Sequence, residues 1–100
     1  MIETDKPCFK TRGIEEKLPL VLQMYLWQLM FEVKENRDYL QVFELKKDTL
    51  GGDGLQVIVH SQEEPELMNT HYYVTDDPIS ARVYIIEDST HFTMLLSSEY

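Results

Sequence analysis

Residues 18–33 carry two apolar rows on a single short helix, and that feature constrains the fold more than any other. At ~100° per residue, Leu22, Leu26, Leu29 and Val33 fall on one line, with Leu18 and Met30 alongside. Leu20, Met24, Trp27 and Phe31 repeat the spacing two residues out of phase. A surface helix normally needs one apolar arc of about 100° or somewhat more. One row therefore suffices to cover a sheet, and the second needs either a sheet that curls around the helix or a partner. In the first case Gln23, between the rows, must find a backbone partner. In the second, Leu20, Met24, Trp27 and Phe31 form the interface, since Trp, Phe and Met are enriched at interface cores. Pro19 suits the first helical position, Leu, Met, Gln and Glu favour the helix, and the end is expected near Asn36. The segment is too short for a membrane: sixteen helical residues span about 24 Å against a ~30 Å hydrocarbon core. Gln23, Gln28 and Glu32 interrupt it, and acidic residues with no small-residue cleavage site argue against a signal peptide.

Around this helix the pattern has the period of strands. Residues 8–12 read as a first strand ending at Gly13, and residues 39–45 as a second, rich in β-branched and aromatic types. Residues 55–60 alternate with a period of two, and the glycine-rich stretch 48–54 makes the pair a hairpin. Residues 61–69 read as an acidic loop, 71–74 and 82–86 as strands, and 76–78 and 87–90 as turns. Residues 92–98 fit a strand or a short helix equally. The expectation is an α+β domain, an antiparallel sheet of about five strands with one main helix on one face. One hundred residues make a single domain over 1–100, with 1–7 as a candidate disordered extension.

Charge narrows the function. Eighteen acidic and nine basic residues give a net charge of −9. Residues 51–100 hold nine of the acids and one base, Arg82. That balance excludes direct binding to nucleic-acid phosphates, which needs clustered Lys and Arg. The acids are expected to present a surface made of Glu63, Glu64, Glu66, Asp76, Asp77, Glu87 and Asp88, either to keep the domain soluble or to meet a basic partner.

Residue types capable of chemistry are present without a pattern that specifies it. His60, His71 and His91 lie among carboxylates, but no pair has the helical i, i+4 spacing of zinc peptidases. Cys8, a lone cysteine, excludes an internal disulfide and reads as a small buried hydrophobe rather than a nucleophile. Asp38, Glu44, Glu87 and Asp88 offer carboxylates for acid–base work only if the fold pairs them. The Gly51-Gly52-Asp53-Gly54 stretch lacks the Lys-Ser/Thr and helix start of a phosphate loop.

Several segments taken together carry a resemblance. They are Thr11-Arg12-Gly13-Ile14, Leu18-Pro19-Leu20 leading to Leu26-Trp27, Asp38-Tyr39-Leu40-Gln41-Val42-Phe43, His60-Ser61-Gln62-Glu63 with Pro65-Glu66, and Met94-Leu95-Leu96 with Glu99-Tyr100. Over residues 11–100 the chain resembles a family of small Gram-positive bacterial proteins catalogued only as domain of unknown function nine-sixty. The resemblance implies a single cytoplasmic α+β domain and brings no activity, cofactor or catalytic residue with it. The expectation is a small acidic protein-interaction module, not an enzyme, with no cofactor or metal and no membrane. Its partner would be a protein or a second copy in a homodimer. The alternatives are an acidic inhibitor that imitates nucleic-acid phosphates on a basic protein, or a small metal-dependent enzyme using His60, His91 and nearby carboxylates.

Overall fold

Thr11 starts the helical layer by turning its hydroxyl back to accept the Ile14 N–H at 3.3 Å, the arrangement that satisfies an orphan donor at a helix N-terminus. The computed structural model describes residues 6–100. After β1 (Cys8–Lys10), α1 spans Arg12–Lys17 and α2 spans Leu20–Glu32. The short α1 was not expected, because Gly13 in its first turn lowers helix propensity. Gly13 leaves room for the Glu99 carboxylate, which a Cβ at this position would meet at 2.6 Å and displace. Glu99 in turn accepts from Thr11 Oγ1 at 2.6 Å and from Leu96 N at 2.9 Å. These bonds hold its pKa below the usual carboxylate range, the Thr11 hydroxyl contributing most.

Pro19 stands one position earlier than expected, as the residue whose carbonyl accepts the first helical bonds from Leu22 and Gln23. The helix also stops at Glu32, short of Asn36. Asn36 has φ 56°, a left-handed conformation that Asn tolerates and a helix does not. Arg37 then folds back to donate to the Val33 carbonyl at 3.2 Å, covering an acceptor that the helix end leaves open.

The strands β2 (Leu40–Leu50), β3 (Asp53–Gln62), β4 (Leu67–Val74), β5 (Ala81–Glu87) and β6 (Phe92–Leu96) follow, with a 3₁₀ turn at Ser97–Glu99. The sheet has six strands in the order β1-β6-β5-β2-β3-β4. It is mixed, not wholly antiparallel as expected, because β1 runs parallel to β6 with Cys8 opposite Phe92. The contested segment 92–98 is a strand that ends in a helical turn. The β2–β3 hairpin is longer than its glycine-rich centre suggested: only Gly51 and Gly52 turn, at φ 59° and 91°. Two successive positive φ values match the twist of paired strands. The acidic loop is likewise shorter, since β4 already starts at Leu67.

Within the extension expected at residues 1–7, residues 1–5 lie outside those described. Lys6 and Pro7 are held by the body: Lys6 Nζ donates to Glu87 at 2.8 Å and the Pro7 carbonyl accepts from Phe92 N.

Both helices bury side chains against one face of the sheet. Ile14, Leu18, Leu22, Leu26, Leu29 and Met30 meet Phe43, Leu45, Ile58, Val83, Ile85, Phe92 and Met94. Gln23 is buried between the rows and donates to the Leu18 carbonyl at 2.8 Å, while Lys10 donates to its Oε1 at 2.9 Å. Strand alternation places Val42, Glu44, Val57, Val59, Tyr72, Arg82 and Tyr84 on the opposite face, which neither α-helix covers.

Candidate functional site

The second row of α2 is divided by its own fold. Phe31 meets Phe92 edge-on at 5.2 Å, carries the Arg37 guanidinium 5.7 Å above its ring, and stacks with Trp27 at 6.4 Å. Trp27 and Phe31 are thus half-buried against the core. Leu20 and Met24 stay in water, 63% and 56% exposed, with Val21 beside them. Together with Cys8, Phe9, Lys10, Gln23 and Trp27, Leu20 and Met24 line a shallow depression of about 190 Å³ between α2 and the β1 edge. Cys8 is exposed on that edge, which corrects its reading as a buried hydrophobe. Partial desolvation of its thiol raises the pKa, opposite to the activation a nucleophile needs.

The seven expected acidic residues do not form one surface. Glu87 receives Lys6 at 2.8 Å and Arg37 at 3.2 Å. Desolvation alone would raise its pKa, but the Lys6 hydrogen bond and the Arg37 charge bring it below the usual range. Asp88 accepts the backbone N–H groups of Thr90 and His91 at 2.8 and 3.0 Å, which pins the β5–β6 turn and lowers its pKa. The other five remain exposed: Glu63, Glu64 and Glu66 in the turn before β4, Asp76 and Asp77 in the loop after it. They stand at the two ends of β4, about 24 Å apart at ~3.4 Å per residue. A phosphate mimic needs an evenly spaced row of charge, and two separated groups do not supply it.

The turn with Glu63, Glu64 and Glu66 borders a depression of about 820 Å³, whose lining includes Asp38, Val42, Leu67, Met68 and Arg82. A buried polar chain holds this end of the sheet. Gln62 Nε2 donates to the carbonyls of Asn36 and Pro65 at 3.1 and 2.9 Å. Its Oε1 accepts from Asp38 N and from Gln41 Nε2 at 2.7 Å. Gln41 Nε2 also donates to the Asp38 carbonyl, so its Oε1 faces His60 Nε2 at 2.7 Å. The network assigns the proton to His60 Nε2, since an amide oxygen only accepts.

His60 also stacks on Phe43 at 4.4 Å. Burial, and secondarily His71, lowers its pKa to about 4. His91 pairs with Asp88 at 3.2 Å on the far side. β3, which carries His60, and β6, which His91 directly precedes, are three strand spacings apart, about 14 Å. The structure therefore does not bring together the histidines that an enzyme reading would pair, nor does it pair Asp38 and Glu44 with Glu87 and Asp88 by any hydrogen bond. Glu44 faces Arg82 at 3.8 Å instead. Among the described residues no three His, Cys, Asp or Glu side chains converge as metal ligands. None of their helices is long and apolar enough to cross a membrane.

Sequence reasoning missed β4 as a surface. It is an edge strand of eight residues, Leu67–Val74, with no charged side chain among them. Met68 and Tyr72 are 70% and 65% exposed. The absence of Lys, Glu, Asp, Arg and Pro over residues 67–74 was the available signal, hidden because residues 67–69 read as loop.

No match to the chain is found among curated proteins. A solved structure described as "Crystal structure of the protein of unknown function from Enterococcus faecalis" shares the fold with a TM-score of 0.68 at 19% identity, covering 98% of this chain and 93% of that one. Residues 8–99 match the family described as "Staphylococcal protein of unknown function (DUF960)". With nearly the whole described chain inside that match, the protein belongs to this family.

Proposed function

We propose that the protein is a small acidic protein-interaction module that self-associates through the outer row of α2. The observation that carries this reading is the exposure of Leu20, Val21 and Met24 on a helix whose only charged residue is Glu32. A chain with net charge −9 repels a second copy, so self-association favours a patch without acids. This patch is one, and Lys10 beside it is paired with Glu15, which leaves its border near neutral.

The energy indicates a weak dimer. Leu20, Val21, Met24 and Phe9 are each about six-tenths exposed. At ~1.5–3 kcal/mol per full burial they contribute roughly 4–7 kcal/mol per copy. Two copies together gain about 8–14 kcal/mol, against ~4–15 kcal/mol for the lost freedom of association. A two-fold arrangement is the commonest way to form such a contact.

Sedimentation of the wild type and of Met24→Glu tests the reading. Met24 is the better site than Trp27, whose replacement would also disturb the core. The wild type is expected to dimerise at about 0.1–1 mM, consistent with that narrow margin, and Met24→Glu to stay monomeric there. A wild type that remains monomeric throughout this range contradicts the proposal.

A further inference from the structure

We infer that β4 is a docking edge for an extended segment of another protein, uncharged along its middle and basic at both ends. The inference shares the reading of the chain as an interaction module but uses a surface remote from α2, so the two can fail separately.

The backbone supplies the attachment. Thr75 N donates to the Gly54 carbonyl at 3.0 Å, and the register continues through Gln56 opposite Tyr73 and Ile58 opposite His71. Antiparallel ladders alternate between bonded and non-bonded pairs. Leu67, Asn69, His71 and Tyr73 therefore bond inward to β3, and the N–H and C=O groups of Met68, Thr70, Tyr72 and Val74 point out of the sheet. Edges of this kind are usually blunted by a charge, a proline or short length. The opposite edge, β1, has only three residues and includes Lys10, whereas β4 has none of these protections. An added strand would satisfy its outward groups, the mode used where peptides extend a sheet.

Charge selects the occupant. Glu63, Glu64 and Glu66 precede β4 and Asp76 and Asp77 follow it, all exposed. A second copy paired antiparallel about His71 would set Met68 against the partner copy's Val74 and bring each copy's Glu66 onto the other's Asp76. Like charges would then meet at both ends, so self-pairing is disfavoured. A segment with Lys or Arg at each end meets opposite charge in either direction. The large depression beside Glu66, Leu67 and Met68 gives one end room for a long basic side chain against Asp38, Glu63 and Glu64.

The test uses the full chain and two synthetic decapeptides, Lys-Lys-Thr-Val-Thr-Val-Thr-Val-Lys-Lys and its counterpart with Glu at all four lysine positions. Amide shifts of the protein are followed by NMR during titration. The basic peptide is expected to bind with the largest shifts at Met68, Thr70, Tyr72 and Val74, and at least about tenfold more tightly than the acidic one, from several screened charge contacts. Thr70→Pro removes one outward N–H, which an edge strand tolerates, and should abolish binding. A Glu63→Lys, Glu66→Lys, Asp76→Lys, Asp77→Lys variant, altered only at exposed positions, should reverse the peptide preference even if Thr70→Pro fails to fold. Equal binding of both peptides, shifts centred on α2, or an unchanged preference in the charge-reversed variant would each overturn the inference.

Discussion

The outer row of α2 and the β4 edge are both exposed and without charged side chains, yet the partners proposed for them differ. The helix has its backbone hydrogen bonds closed internally and offers side chains alone. The strand offers unpaired N–H and C=O groups as well, which makes it the more general template. Flanking charge then separates them: Lys10, paired with Glu15, leaves the border of α2 near neutral, while glutamates and aspartates bracket β4. An apolar patch on a charged protein is defined as much by its border as by its content. The same net charge can oppose a second copy at one surface and leave another open to it.

The comparison presupposes that neither surface holds the fold together, and this gives the largest expected effect. Leu26→Ala, in the fully buried row, should destabilise the protein by about 2–5 kcal/mol in urea unfolding. Met24→Glu should change stability by no more than ~0.5 kcal/mol, as surface substitutions usually do. A comparable loss for both would mean the outer row is part of the core.

Next in size is a pH effect rooted in the polar chain under the acidic end. His60 has a folded pKa of about 4 and an unfolded one of ~6.5. Between these values the unfolded chain binds a proton that the folded chain does not. Stability therefore falls as pH drops from 6.5 toward 4, by an amount on the order of 2–3 kcal/mol. Glu87, whose pKa is also lowered, adds a loss of the same sign at the acidic end of this window. Urea midpoints that stay flat between pH 7 and 5 would show that His60 is solvated and that the network is not closed.

A smaller effect distinguishes the two surfaces directly. Gln62→Ala removes the bonds to Asn36, Pro65, Asp38 and Gln41, with an expected cost of about 1–3 kcal/mol. The Glu63–Glu66 turn would loosen, so affinity for the basic peptide should fall while self-association through α2 is unchanged. Equal losses at both surfaces would mean that the substitution acts through the whole fold.

How much of this was legible depended on the range of the interaction that determines each feature. Local chemistry marked the buried row of α2, the paired glycines of the β2–β3 turn and the strand cores. The parallel β1–β6 pairing left no local trace, since it joins Cys8 to Phe92 across most of the chain. In β3 the side that looks more apolar, Leu55, Val57 and Val59, is not the side under the helices. Gln56, Ile58, His60 and Gln62 take that place. Buried glutamines are tolerable only with partners, and those partners, such as Ile79 for Gln56 and Asn36 for Gln62, belong to other segments. The division of the second α2 row was hidden for the same reason, because Phe92 and Arg37 decide which half is covered. Of the candidate surfaces, the acids themselves were visible, but their placement at the two ends of one strand required the sheet.

The central claim, that charge at the border assigns α2 to a second copy and β4 to a basic segment, is tested most directly by salt. Self-association and binding of the lysine-ended peptide would be measured on the same protein between 0.05 and 0.5 M NaCl, where the screening length falls from about 14 to ~4 Å. The account predicts opposite responses: dimerisation strengthens as repulsion between like-charged copies is screened, and peptide affinity weakens. Two affinities that move in the same direction would contradict it.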